Sequence, residues 1–301
     1  MQTVKCFENH EIDRKKWDAC VADSLVGMIY GYSWYLDLVS PGWMGLVEED
    51  YNSVMPLPVR KRYGIKYIYQ PLFAQQLGVY SKENVHDAKL NSFIEAIPGE
   101  IKYIDTNLNY TNFPQQQGKK LKRKINFELN LRKKYLHLKE NYSENTRRNI
   151  QRSLPFIELT HNVPVADLIK MKRENATKYH PPAYYERMNC FAHKLVARGN
   201  GKITGATKDG TLCAAALFLF SGKRIYYLIP VSSEEGKNNR AMFAILDHYI
   251  QTYADKNLIF DFEGSNITGI ARFFEGFGAV PREYYSIILN RLPFLFRFLK
   301  R

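Results

Sequence analysis

Two carboxylates stand two residues apart in Leu258-Ile-Phe-Asp-Phe-Glu-Gly264: Asp261 and Glu263. Residues two apart in a strand share a face. A carboxylate at the end of a strand suits the work of a general base that takes a proton from an attacking group. Glu263, at the rim, is the first candidate, and Asp261 is either a second or a hydrogen-bond acceptor behind the loop. Tyr284 and Tyr285, on the next apolar run, are candidate acids with opposite facing, and Tyr285 is taken with the two carboxylates as catalytic. Upstream, Ser233-Glu-Glu-Gly-Lys-Asn-Asn239 joins an apolar run to a helical pattern. The first amides of a helix have no partner within it, and its dipole adds partial positive charge. A pyrophosphate would sit there on Gly236, Lys237, Asn238, Asn239 and Arg240, with Lys237 and Arg240 supplying full charges. A surface turn before an ordinary crossover helix has the same pattern.

Other residue types bound the chemistry. His180 and Tyr179, in Lys178-Tyr-His-Pro-Pro182, lie on a polar loop and are candidates for lining a second-substrate groove. Gln70 and Arg272 are added as substrate contacts. No His/Cys/Asp cluster has metal-ligand spacing, and no Ser sits in a nucleophile elbow. Cys6, Cys20, Cys190 and Cys213 form no C-x-x-C pair and read as reduced, structural thiols.

These residues need elements to hold them. Arg224–Ser232 reads as a buried strand and Arg240–Ala254 as a helix, with Met242, Ile245, Leu246, Tyr249, Ile250 and Tyr253 recurring at helical spacing. Leu258–Phe262 is a second buried strand, Ile267–Phe277 a short helix and Tyr284–Leu289 a last strand. Before them, Ser143 can cap a helix over 144–154, Phe156–Thr160 is a strand, and 165–176 and 184–198 are helices. Asp209-Gly210 marks a hairpin between Lys202–Thr207 and Leu212–Phe220.

The first half repeats this order. Helices over 15–22 and 31–39 precede a hairpin, 42–47 with 53–59, in which Pro56 and Pro58 imply an edge or bulge. A third strand over 67–74, a helix over 84–97 and strands over 100–105 and 124–131 follow. The expected division is therefore 1–135 and 136–301, two domains of mixed α+β class, each a mostly antiparallel sheet flanked by helices.

The 301 residues carry a net charge of +13 with 45% hydrophobic content, as a packed globular chain does. Residues 115–152 hold twelve basic and three acidic residues, a net +9, so most of the excess is local. Such a stretch attracts phosphate groups, nucleic acid or anionic lipid heads, or forms a solvated surface. Lacking a long apolar run or an apolar signal core, the chain is expected in the cytoplasm. Its aromatic, basic tail from Arg291 packs on the first half or touches a membrane surface.

Asp261-Phe-Glu-Gly264 followed by Gly269-Ile-Ala-Arg-Phe-Phe-Glu-Gly-Phe-Gly278 resembles the end of the FemAB-like branch of the GNAT acyltransferase superfamily. Tyr142-Ser-Glu-Asn-Thr-Arg-Arg-Asn-Ile150 resembles that family's basic helix. The resemblance implies two GNAT-like folds in tandem and transfer of an acyl or aminoacyl group to an amine, with a coenzyme A thioester as co-substrate. It further implies two neighbouring strands splayed after Ile229-Pro-Val231. Since Pro230 has no N–H, Val231 and Ser232 are the implied donors to an oxyanion or pantetheine. The Lys that the family places in Phe-Lys-x-x-Phe-Gly is Phe274 here. Three expectations follow: an acyl-CoA-dependent N-acyltransferase acting on an amine, such as that of a cell-envelope or lipid precursor; a Fem-type enzyme drawing on aminoacyl-tRNA through residues 119–152; or a fold kept for binding alone. No stable protein partner is implied.

Overall fold

The computed structural model describes residues 3–115, 120–161, 163–264 and 266–293. Lys119 of the basic stretch and residues 294–301 of the tail lie outside them. The chain forms two compact units, Met1–Ile125 with Glu283–Arg301, and Asn126–Arg282.

In the first unit, β1 (Val4–Phe7) leads to α1 (Arg14–Asp23). The Asp13 carboxylate accepts the N–H groups of Lys15 and Lys16 and so caps α1. Trp17 on α1 packs on Trp43 with ring centroids 4.8 Å apart, and its indole N–H donates to the Gly31 carbonyl at 2.8 Å. After α2 (Ser33–Val39), β2 (Met44–Glu48) and β3 (Ser53–Leu57) form the expected hairpin. Pro58 then ends β3, and β4 (Val59–Arg62) starts a different sheet with β5 (Ile65–Ile68). A proline that cannot donate to a ladder is a natural place for that switch. The third strand expected over 67–74 stops at Ile68, because Gln70 and its neighbours turn back on themselves. The short β6 (Tyr80–Ser81) pairs with β3. The helix α3 (Asp87–Glu95) and β7 (Ile101–Asn107), parallel to β5, follow. The core lies around α3, where Leu90, Phe93 and Ile94 meet Leu46 and Leu57 of one sheet and Ile68 and Ile104 of the other.

The long β8 (Lys120–Asn130) carries the chain into the second unit. The one-and-a-half-turn α4 (Tyr135–Glu140), not apparent from periodicity, is held by the Tyr135 hydroxyl, which donates to the buried carboxylate of Asp247 at 2.9 Å. The cap of α5 (Glu144–Ser153) is the expected one: Ser143 Oγ accepts the Thr146 N–H at 3.1 Å. Replacing Ser143 by Ala should cost about 1 kcal/mol. Urea midpoints with an unchanged denaturant slope would register it, and an unchanged midpoint would remove the cap from the account.

Next come β9 (Glu158–His161), α6 (Val165–Glu174) and α7 (Pro182–Ala197), the last opening with Pro at its first position. The hairpin of β10 (Gly201–Lys208) and β11 (Thr211–Ser221) turns through Asp209 and Gly210, both at positive φ, as the Asp-Gly pair requires. Then come β12 (Arg224–Ser232), the short α8 (Glu234–Asn238), α9 (Ala241–Tyr253), β13 (Ile259–Asp261), α10 (Thr268–Glu275) and β14 (Val280–Asn290).

The second unit's strands run β8-β13-β12-β11-β10-β9, antiparallel except for the β12–β13 pair. Its core is aromatic: Phe218 of β11 stacks on Tyr249 of α9 at 3.5 Å. The division expected at 135/136 is cut differently by compactness. The closing strand β14 pairs antiparallel with β7, Ser286 opposite Asn107, so the C-terminal segment belongs with the first unit.

Candidate active site

The strands β12 and β13 pair only from Arg224/Ile259 to Tyr226/Asp261. From Tyr227 to Ser232, β12 keeps β11 on one side and leaves β13, which ends at Asp261. Beyond that point β13's direction is held by β8, since the Phe262 N–H donates to the Phe127 carbonyl at 3.0 Å. A gap between the two strands therefore opens where β12 also bulges. The register against β11 shifts between Ala215 and Leu217, and Ile229 takes φ 41°. A β-branched residue at positive φ is strained, and a bulge re-aims the backbone around it.

The bulge decides which amides meet the gap. Directly opposed antiparallel pairs alternate between bonded and non-bonded. The Ser233 N–H donates to the Cys213 carbonyl at 2.9 Å. The neighbouring pair, Ser232 with Ala214, is then non-bonded and turns the Ser232 amide away from β11. By the same alternation Val231, opposite Ala215, faces β11. Of the two expected donors, the geometry keeps Ser232 at the gap and removes Val231.

The pyrophosphate cradle is corrected as well. The amides of Gly236, Lys237, Asn239 and Arg240 are engaged within the turn, by Ser233 Oγ, Ser233 O, Glu235 O and Lys237 O. Asn238 closes the unexpected α8. Gly236 has a packing reason instead: a Cβ there would lie 2.1 Å from the Cys213 carbonyl oxygen. The Arg240 guanidinium folds back onto the carbonyls of Lys237 and Asn238, while its own backbone takes φ 59°. Lys237 sits 3.4 Å from Glu234 on the surface. What remains for an anion is the first turn of α9, Ala241 and Met242. The turn offers no full amide cradle for two phosphates.

Asp261 is fully buried. Its Oδ1 accepts the Asn126 amide and the Glu263 N–H, each at 3.0 Å, and its Oδ2 accepts Arg224 Nη1 at 3.1 Å. Arg224 also bonds Glu128 at 2.7 Å, and Arg282 lies 3.6 Å from the other Glu128 oxygen. Two carboxylates thus share one buried guanidinium. Burial first, and the Glu128 charge next, push the Asp261 carboxyl up to about 6 although Arg224 pulls it down. A side chain held this way does not reach a substrate, so Asp261 is a positioning group rather than a base. What it positions is Glu263, half-buried, at φ 62° and followed by Gly264 at φ 59°.

The remaining candidates separate. His180 stacks on Tyr184 at 4.2 Å, and with Arg173, Thr177, Lys178, Tyr179 and Tyr185 it lines a groove of about 490 Å³ at the α6–α7 loop. Tyr179 is 88% exposed there. Arg272 is exposed on α10, whereas Phe274 is buried among Tyr227, Phe262 and Phe127 and carries no charge to this region. Tyr285 and Gln70 lie in the first unit, near the end of β7. The Tyr285 carbonyl accepts the Leu108 N–H at 2.8 Å. Gln70 is corrected from substrate contact to brace: its Oε1 accepts the Asn107 N–H at 2.8 Å and its amide donates to Ala74 O. Burial pushes the thiols of Cys6 and Cys20 up to about 11 and raises Cys213, which disfavours a thiolate nucleophile at those positions. Among the described residues no group of His, Cys, Asp and Glu could hold a metal, and no helix is long and apolar enough to cross a membrane.

Residues 143–273 match the family model described as an acetyltransferase (GNAT) domain, and that span contains the parted strands, the bulge and the Asp261–Gly264 turn. Residues 143–273 thus carry a GNAT acetyltransferase domain, and the chain as a whole has the fold of FemX and of tandem GNAT proteins. The crystal structure of FemX is 14% identical with TM-score 0.68, covering 96% of this chain and 99% of that one. A tandem GNAT protein from the clavulanic acid biosynthesis pathway is 11% identical with TM-score 0.56, covering 96% and 99%. The C-terminal domain of a lysylphosphatidylglycerol synthetase from Agrobacterium fabrum is 10% identical with TM-score 0.51, covering 94% and 93%. At such identities these likenesses establish the fold alone. No curated protein matches its sequence.

The sequence pattern did not mark Asn126, Arg224 and Glu128. The signal for Arg224 was present, a charge opening an apolar strand, which needs a buried partner.

Proposed function

We propose that the second unit moves an acyl group from a thioester donor to an amine. The donor's arm lies along the open edge of β12, the amine enters from the α6–α7 groove, and Glu263 takes the amine's proton. The observation that carries this reading is the parting of β12 from β13 after Tyr226, beside a bulge. Coenzyme A is the simplest carrier, with Ala241 and Met242 near its phosphates. A carrier-protein thioester makes less use of that turn. The amine is proposed to belong to a cell-envelope or lipid precursor; the fold shared with FemX and the lysylphosphatidylglycerol synthetase domain supports this, as do the basic and aromatic groups of the groove. A chain without a membrane-crossing helix among its described residues is consistent with cytoplasmic work on such precursors.

A second reading, aminoacyl transfer from tRNA, is favoured by the exposed cations Lys120 and Lys122 of β8 and Arg147, Arg148 and Arg152 of α5. Thermal denaturation separates the two. A thioester present at 100 times its dissociation constant adds about 2.7 kcal/mol of stability, several degrees in Tm for a protein of this size. Acetyl-CoA or a long-chain acyl-CoA should give that shift. Stabilisation by aminoacyl-tRNA alone, persisting at moderate salt, would favour the second reading. Loss of the tRNA effect in salt reflects only non-specific phosphate contacts.

A further inference from the structure

The open edge of β12 is poor in backbone donors. Pro230 has no N–H, and Val231 faces β11. The C=O and N–H of one trans peptide point in opposite directions. The Pro230 carbonyl, joined to the β11-facing Val231 amide, therefore points to the gap. There it accepts Lys172 Nζ of α6 at 2.6 Å. An ammonium has three donors, and this bond uses one of them. The Ser232 amide lies next along the same edge. Phe274 leaves α10 uncharged at the aromatic cluster, and Arg173, the neighbour of Lys172, turns instead over the Tyr185 ring at 5.3 Å.

We propose that Lys172 and the Ser232 amide together receive the negative charge that develops on the acyl carbonyl oxygen. This rests on the thioester reading above. The amine nitrogen attacks the carbonyl carbon and its proton passes to the Glu263 carboxylate. The carbonyl π pair moves to oxygen, where Lys172 Nζ and the Ser232 N–H hold it. Collapse re-forms the C=O bond and expels the thiolate, which takes the proton held on Glu263. A half-buried, pre-placed cation such as Lys172 is most effective where charge appears only in the transition state. Burial also pushes the Lys172 ammonium below its ordinary value, as expected of a cation kept away from water.

Acetyl-CoA labelled with carbon-13 at the carbonyl tests this on the whole chain. Bound to the native protein, its carbonyl resonance should move downfield, because the C=O is polarised. Lys172→Met should bind acetyl-CoA within about threefold of the native affinity and lose most of that displacement; Lys172→Arg should retain it. Hydrolytic thiol release from acetyl-CoA, with water taking the acetyl group, should fall about 100-fold in Lys172→Met, the usual loss for one oxyanion donor. An unmoved resonance in the native complex overturns the proposal without recourse to any variant. So does an equal displacement in Lys172→Met. Absence of acetyl-CoA binding to the native protein removes the acetyl-CoA donor reading along with it.

Discussion

Replacing Arg224 by Met should destabilise the second unit by about 3–5 kcal/mol near neutral pH, the usual cost of stripping one partner from a buried ion pair. Arg224 is 4% exposed, and it is the buried cation shared by Glu128 and Asp261. Methionine fills much of the space but leaves two carboxylates facing each other. The loss should depend on pH with a definite sign. A carboxyl whose folded pKa is raised favours the folded state below its unfolded value, near 3.8, and that advantage is lost as pH rises through the folded value. In the native protein Asp261 has this behaviour up to about 6. Without Arg224 the Asp261 carboxyl should move further up, so the deficit should be small near pH 4.5 and grow toward pH 7.5. Removing one charge, in Arg224→Met with Asp261→Asn, should restore part of the stability. Urea midpoints at the two pH values measure all three proteins. A deficit under 1 kcal/mol, or one independent of pH, contradicts the network as described.

The second large effect concerns Glu263. As the base proposed for the amine, Glu263→Gln should lower turnover at least tenfold, and about 100-fold if it is well placed. The same residue carries backbone strain, with φ at 62° and its N–H held by Asp261. A non-glycine residue in that region costs about 1–2 kcal/mol, partly offset by glycine's greater freedom when unfolded. Glu263→Gly should therefore gain up to about 1 kcal/mol of stability while losing turnover like the Gln variant. Opposite movement of stability and rate at one position would mark strain kept for placement. Native turnover in Glu263→Gln removes it from the chemistry.

Much of the second unit was legible in the sequence because its signals are local. The β12 strand, the α9 periodicity, the Asp209-Gly210 turn and the Ser143 cap each depend on neighbours within a few residues. The losses came from long-range partners. Glu128 and Asp261 are 96 and 37 positions from Arg224, and nothing in the local pattern joins them. Gly236 looked like a phosphate-loop glycine, but its small size serves contact with β11. Lys172 stands among other cations in Lys170-Met-Lys-Arg173, and only the crossing of α6 over β12 shows its ammonium at the Pro230 carbonyl. Gln70 was placed by residue type alone, and its hydrogen bonds exist only once the loop after β5 meets β7. The strand β14 looked like the end of the second half until its register with β7, 179 positions earlier at Ser286 and Asn107, placed it with the first unit.

Amide hydrogen exchange with and without acetyl-CoA addresses the parted strands directly. The account predicts that bound acetyl-CoA slows exchange across residues 227–232, with the Ser232 amide most affected, and leaves the β9–β10 edge unchanged. Binding that leaves 227–232 exchanging as before would contradict it.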